Sequence, residues 1–182
     1  SLIMIITNQS PLIFANGMEI KTLSGPEASV YFKEIADLRI NLFKEFPYLY
    51  DGNYEYEKEY LTNYFKCKES RIMLVFDGDN VVGFSSSIPL KYEVVEIKNV
   101  LNGSLINVNK TLYIGEAMLL PAYRGKGLLR KFFSYHEYHA KSLGFQYVIF
   151  MTVERDIKHP KRPKNYRDLE PLWNHFGYAL LE

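Results

Sequence analysis

The sequence has one cysteine, Cys67, and one tryptophan, Trp173, in 182 residues. A single thiol excludes a disulfide within the chain and favours a reducing compartment, so a cytoplasmic location is expected. Charge of one sign is also lacking: 22 Lys and Arg face 21 Asp and Glu, for a net charge of +1. A broad surface for nucleic acid or another polyanion is therefore not expected, and recognition of an anion has to be local. Long hydrophobic runs are missing as well. The stretch SLIMIITNQSPLIF is apolar, but it has no basic leader and is broken by Asn8, Gln9, Ser10 and Pro11. It reads as neither a secretory signal nor a membrane span, and no membrane partner is expected.

Aromatic rings are abundant, with 15 Tyr and 12 Phe. Tyrosine combines apolar area with a hydroxyl, so these rings suit a cleft as well as a core. Hydrophobic residues at 47% and charged residues at 24% are ordinary globular values. The length suits a single domain over residues 17–182, with 1–16 as an N-terminal extension.

Periodicity gives a coarse layout. Met18–Leu23 alternates as a short strand. From Glu27, apolar residues at three- and four-residue spacings predict a helix to about Phe46, stopped by Pro47. A tyrosine-rich loop, PYLYDGNYEYE, leads to a second helix around Tyr56–Phe65. Arg71–Phe76 and Val81–Pro89 read as strands joined by the hairpin signal Asp77-Gly78-Asp79-Asn80. Residues 91–110 read as a loop with one helical turn. Thr111–Leu120 is a strand, Gly127–Leu143 a helix ended by Gly144, and Phe145–Val153 a buried strand. A loop, a short helix over Asp168–Phe176 and a last strand at Tyr178–Leu181 complete the chain. The order predicts a mixed α/β (α+β) fold around one sheet.

The most specific local signal is LLPAYRGKGLLRKFF, Leu119 to Phe133. A strand entering a helix through glycines leaves the first helical N–H groups unpaired, and the helix dipole adds positive potential there. Gly125 and Gly127 permit close approach to the main chain, and Arg124 and Lys126 add charge. Such a turn suits a phosphate or diphosphate. It fails the Walker pattern, because Gly127 and Leu128 follow Lys126, and it fails the dinucleotide pattern, because Arg130 stands where the third glycine belongs. A turn that uses glycine only structurally remains the alternative. His136-Glu137-Tyr138-His139 is H-E-x-H, not the zinc-protease H-E-x-x-H, and no metal site is expected. A nucleophile elbow is absent.

In its setting the run Leu119-Leu120-Pro121-Ala122-Tyr123-Arg124-Gly125-Lys126-Gly127-Leu128 resembles the acetyl-coenzyme A loop of the GNAT N-acetyltransferase superfamily. The element order and LEPLWNHFGY (Leu169–Tyr178) resemble it too, across most of residues 18–182. With FPYLYDG (Phe46–Gly52) and GEAMLLPAYRGKG, the likeness is to a bacterial subgroup. The resemblance implies a mostly antiparallel central sheet flanked by helices, and acetyl transfer from acetyl-CoA to a primary amine of a small-molecule or peptide acceptor in a ternary complex. It implies that the pantetheine arm lies in a gap between splayed strands, against Met118, Leu119 and Leu120. The diphosphate would meet the turn formed by Tyr123, Arg124, Gly125, Lys126, Gly127, Leu128 and Leu129. Homodimers are common among such folds. An acetyl-CoA sensor without turnover is the second reading.

Direct transfer needs a base for the ammonium and a donor for the leaving thiolate. Glu116 is the only charged residue in Leu112–Leu120 and is the candidate base or amine anchor. Relatives often place a tyrosine acid where Trp173 stands here, and an indole cannot act as that acid. Tyr166 is the candidate donor instead. Tyr48, Tyr50, Glu154 and Arg155 are the candidate acceptor-binding residues, from the tyrosine-rich loop and from the basic loop after the Phe145 strand.

Overall fold

The computed structural model describes residues 12–13, 18–104, 106–152 and 155–180. Six strands form one sheet, in chain order across it: β1 (Leu12–Ile13), β2 (Met18–Ser24), β3 (Arg71–Asp77), β4 (Asn80–Pro89), β5 (Thr111–Leu119) and β6 (Tyr147–Phe150). All neighbours pair antiparallel except β5 and β6, which run parallel. That exception follows from the long helix α5 (Leu128–Ser142), which carries the chain back between them. Helices α2 (Phe32–Leu42) and α3 (Tyr54–Lys66) cover the other face.

The three-layer arrangement explains why Arg71–Phe76 reads as a continuous apolar run. Ile72 and Leu74 pack with Ile35, Leu38, Leu61 and Tyr64 on the α2–α3 side. Met73 and Val75 pack with Leu128 and Phe132 on the α5 side. A strand covered on both faces cannot alternate with polar residues.

The first expected helix is interrupted. Gly25–Ala28 forms a short helix, α1, capped by Ser24 and Glu27, and a 3-10 turn over Ser29–Tyr31 precedes α2. The Ser29 hydroxyl and N–H both donate to the Pro26 carbonyl, which tightens the ladder there. Residues 91–110 carry one short helix, α4 (Val95–Val100), between two 3-10 turns. The helix α6 (Glu170–His175) is closed by Gly177 at φ 91°, with the Tyr178 N–H donating to the Trp173 carbonyl. Tyr178–Leu180 therefore ends a helix and does not add a strand; Leu181 lies outside the described residues. β6 is shorter than expected and its rim is half open, with Tyr147 38% exposed. It pairs only Thr111–Ile114, because β5 changes register just beyond.

Candidate active site

The register change is a one-residue bulge. Ser86 pairs with Glu116 and Ser87 with Ile114, so Gly115 has no partner on β4. Side chains alternate along a strand, and one inserted residue reverses every later one. Tyr113 packs on the α2–α3 side and Gly115 faces it too; past the bulge it is Glu116 and Met118 that face that side, and Ala117 that does not. A Cβ on Gly115 would stand 2.3 Å from the Tyr64 hydroxyl and 2.9 Å from Ser86 Oγ, so glycine is required by the close approach. Five residues of β5, Gly115–Leu119, continue past its last pair with β6. Among the described residues no strand pairs with their edge facing away from β4, where the Leu119 carbonyl alone is taken, by Arg124.

Glu116 is not a lone carboxylate. Its side chain is only 7% exposed and meets the Arg39 guanidinium. Tyr60 donates to its Oε1 at 2.7 Å and Ser86 to its Oε2 at 2.8 Å. Arg39 is itself buried, donates through Nε to Glu57 and stacks over Tyr60 and Phe43. Burial disfavours its charge, but the attraction of Glu116, Tyr60 and Glu57 outweighs this, so the guanidinium is held more firmly protonated than usual. Tyr60 and Tyr64 are driven well above the ordinary phenol range, first by burial and then by neighbouring charge and hydroxyl groups, so both are neutral donors. On the opposite face Ser85 donates to the Glu116 carbonyl at 2.8 Å and sits 2.7 Å from His136 Nε2. Ser85-Ser86 thus grips both the main chain and the side chain of Glu116.

The sequence reading missed Arg39, Glu57, Tyr60, Tyr64, Ser85 and Ser86. A signal was present. Arg39 stands four residues after Ile35 and Glu57 four before Leu61, each on the apolar stripe of its helix. A charge on a stripe that enters the core needs a partner of opposite sign.

The glycine turn has a different construction. Pro121–Tyr123 is a 3-10 turn, Gly125 and Gly127 have φ of 75° and 80°, and α5 starts at Leu128 with no side-chain cap. Among the described residues, the N–H groups of Gly125, Lys126, Gly127, Leu128 and Leu129 have no protein acceptor. A Cβ on either glycine would meet nothing within 4 Å, so the surface over the turn is open. Both glycines are there for their dihedral angles. Arg124 is anchored by Nε to the Leu119 carbonyl at 3.1 Å and by a half-exposed pair with Glu45 at 3.2 Å. Tyr123 donates to Asp77, tying the turn to the β3 end. Lys126 is exposed. Met118 and Leu119 are buried, and the Leu120 N–H donates to the Val82 carbonyl.

The remaining predicted residues separate into groups. Tyr48 keeps 38% of its surface open, with its ring edge-on to Phe43. Burial raises its pKa, the charge of Glu116 and then Tyr166 add to this, and Arg124 opposes it. Tyr48 is thus the predicted acceptor residue that the structure brings within electrostatic reach of Glu116. Tyr166 lies beside it, edge-on to Phe46 at 4.8 Å and beneath Arg162. Tyr50 packs at 5.7 Å from Tyr56, further out. Arg155 donates to the carbonyls of Pro47 and Tyr48 and so acts as a strap on the tyrosine loop. Glu154 lies outside the described residues. Trp173 packs with Phe133, Phe150 and Phe176, in the aromatic cluster between α5 and β6.

A sheet that opens past a bulge, continued through an uncapped glycine turn into a helix, defines a strand–turn–helix unit with exposed main-chain donors. The family model described as acetyltransferase (GNAT) family matches residues 36–162, and the chain belongs to that family. Among curated proteins none matches. The fold is shared with solved structures at low identity. The aminoglycoside N-acetyltransferase AAC(6')-Iy in complex with CoA has 11% identity and a TM-score of 0.60, over 97% of this chain and 94% of that one. A predicted acetyltransferase with acetyl-CoA from Clostridium acetobutylicum has 12% identity and a TM-score of 0.57, over 91% and 92%. Ribosomal-protein-alanine N-acetyltransferase from Brucella melitensis biovar Abortus 2308 has 15% identity and a TM-score of 0.54, over 90% and 92%.

Proposed function

We propose that this protein transfers the acetyl group of acetyl-CoA directly to a primary amine of a small molecule, both substrates being bound at once. The observation that carries the reading is the continuity of the open β5 edge, Gly115–Leu119, with the unpartnered amides of Gly125–Leu129. This track fits a cofactor with an extended amide-bearing arm and a diphosphate. The amides and the α5 N-terminus would hold the diphosphate, and Lys126 adds positive potential. Main-chain groups near Met118 and Leu120 would hold the arm. Acetyl-CoA supplies an activated acyl group; the protein supplies orientation and a route for the proton.

Glu116 is the proposed amine anchor and proton acceptor. Among the described residues its Oε2 accepts from Ser86 alone, which keeps a lone pair for an incoming ammonium. Arg39 and Tyr60 fix the carboxylate, and fixed geometry lowers the entropic cost of reaction. Tyr48 lies at the mouth beside Tyr166, where either hydroxyl is a proposed proton donor to the leaving group. AAC(6')-Iy, which shares the fold, has also been solved with a bisubstrate analogue, CoA-S-monomethyl-acetylneamine, and this supports a small amine as the acceptor. Residues 17–182 are taken as one domain.

The test has two arms. Coenzyme A binding only the folded protein should raise Tm, by the equivalent of about 2.7 kcal/mol at a hundredfold excess over Kd. Acetyl-CoA mixed with a panel of primary amines, aminoglycosides included, should release free thiol. No thermal shift overturns the reading. A shift without thiol release from any amine makes the protein an acetyl-CoA sensor.

A further inference from the structure

The carboxylate of Glu116 is the first member of a longer chain of polar groups. Tyr60 donates to Glu116 Oε1 at 2.7 Å, and the Tyr60 and Tyr64 hydroxyls are 3.4 Å apart. Tyr64 donates to Glu93 Oε2 at 2.8 Å. Glu93 follows the 3-10 turn Leu90–Tyr92 and is 4% exposed. Its Oε1 accepts from the Val94 N–H at 2.9 Å and from Asn63 at 3.4 Å. Asn63 and Tyr92 also line a surface pocket of about 400 Å3, with Lys66, Cys67, Lys68 and Glu69. The chain therefore runs from the bulge of β5, across α3, to the border of a second opening.

We propose that Glu116, Tyr60, Tyr64 and Glu93 form a proton relay that carries the amine's proton from the cleft to Glu93 and out beside Asn63. The inference rests on Glu116 taking that proton. The ammonium gives its proton to Glu116. The protonated carboxyl of Glu116 rotates to carry its O–H from the Ser86 side to Tyr60, and donates there as the Tyr60 hydrogen turns toward Tyr64. Tyr60 then passes its own proton to Tyr64, and Tyr64 passes its own to Glu93. Glu116 ends as a carboxylate, both tyrosines remain neutral, and Glu93 ends as a carboxylic acid. No electron moves.

Charge placement gives the direction. Two carboxylates, Glu57 and Glu116, meet the buried guanidinium of Arg39, and a third, Glu93, is buried away from it. Glu93 faces Tyr64 and Asn63 from α3, the Val94 N–H, and more distantly Tyr60, Glu116 and Tyr113; among the described residues none of these is a cation. Negative charge is thus compensated at Glu116 and uncompensated at Glu93. Burial favours the neutral Glu93 and outweighs its hydrogen bonds, which accords with a proton resting there. The Tyr60–Tyr64 contact, 3.4 Å between hydroxyls, is the longest link between the side chains of the relay.

The first test uses the protein alone. In an infrared pH titration, the carbonyl stretch of neutral Glu93 is the band absent from Glu93→Gln. It should shift in Tyr64→Phe and also in Tyr60→Phe, although Tyr60 does not touch Glu93, because hydrogen bonds in a chain polarise one another. A Glu93 band that Tyr60→Phe leaves in place overturns the relay. The second test uses the first amine that supports thiol release. Glu93→Gln and Tyr64→Phe should each lower kcat roughly ten- to a hundredfold with KM unchanged. Each should flatten the acid limb of the pH profile, and the double variant should be no slower than the slower single one. Wild-type kcat and pH profile in Glu93→Gln, or losses that multiply in the double variant, overturn it. If no amine is acetylated, the transfer reading fails and the infrared result alone decides whether the chain is connected.

Discussion

The two halves of the candidate site are built on opposite plans. The glycine turn is made of main chain, is open to solvent, and comes from one continuous stretch, Tyr123–Leu129. The charged cluster is made of side chains, is closed, and is assembled from α2, α3, β4 and β5. In the first, backbone groups are left without partners because a helix start cannot satisfy its own amides. In the second both oxygens of Glu116 and the Nε and Nη1 of Arg39 meet groups of the protein, because an unpaired charge inside a protein is costly. The comparison separates a surface that awaits a ligand from a framework that already holds its charges.

The plan predicts where substitutions act. The largest effect should come from Arg39→Leu, which strands Glu57 and Glu116 without a cation. Loss of one partner of a buried pair costs about 3–5 kcal/mol, so the urea midpoint should fall steeply. Adding Glu57→Gln to it should recover part of that loss. If Arg39→Leu alone leaves the midpoint unchanged, the cluster is not the closed framework described.

Gly127→Ala tests the other plan. A side chain at φ 80° costs about 1–2 kcal/mol, while its Cβ would meet no protein atom. Stability should therefore fall modestly, and the coenzyme A-induced rise in Tm should shrink far more. A full thermal shift by coenzyme A in this variant would break the link between the turn and the diphosphate.

The smallest effect concerns acid. Burial holds His136 neutral, with its pKa lowered to about 3, and lowers that of His139 to about 4. An unfolded histidine takes its proton near 6.5. Between those limits the unfolded chain binds more protons, so stability falls as pH drops below about 6.5. Each histidine contributes at most about 1.4 kcal/mol per pH unit. The slope of unfolding free energy against pH from 6 to 5 should be reduced in His136→Asn. An unchanged slope would mean that His136 is not held neutral beneath the Ser85–Glu116 contact.

Much of the fold was legible because its signals are local. The apolar runs gave the strands, and Gly144 and Gly177 ended their helices as expected. Glu116 stood out as a charge in an apolar strand, and the turn stood out by its glycines. Tyr178–Leu180 was misread as a strand because a helix-ending aromatic and a short apolar strand look alike in sequence. Arg155 reads as a basic rim residue, yet it is committed to two carbonyls of the tyrosine loop. Trp173 reads as a cleft position, yet it belongs to an aromatic cluster on α5.

By itself the sequence determined the secondary elements, the exposed amides of the glycine turn and the family, since these depend on dihedral preferences and on residues a few positions apart. The tertiary structure alone decided which way Glu116 points and what holds it. A single unpaired glycine at 115 sets the face of every later residue in β5. The groups that then close on Glu116 arrive from distant helices: Tyr60 stands 56 residues away and Arg39 further still. No local pattern encodes such a meeting, because it exists only once the layers have packed.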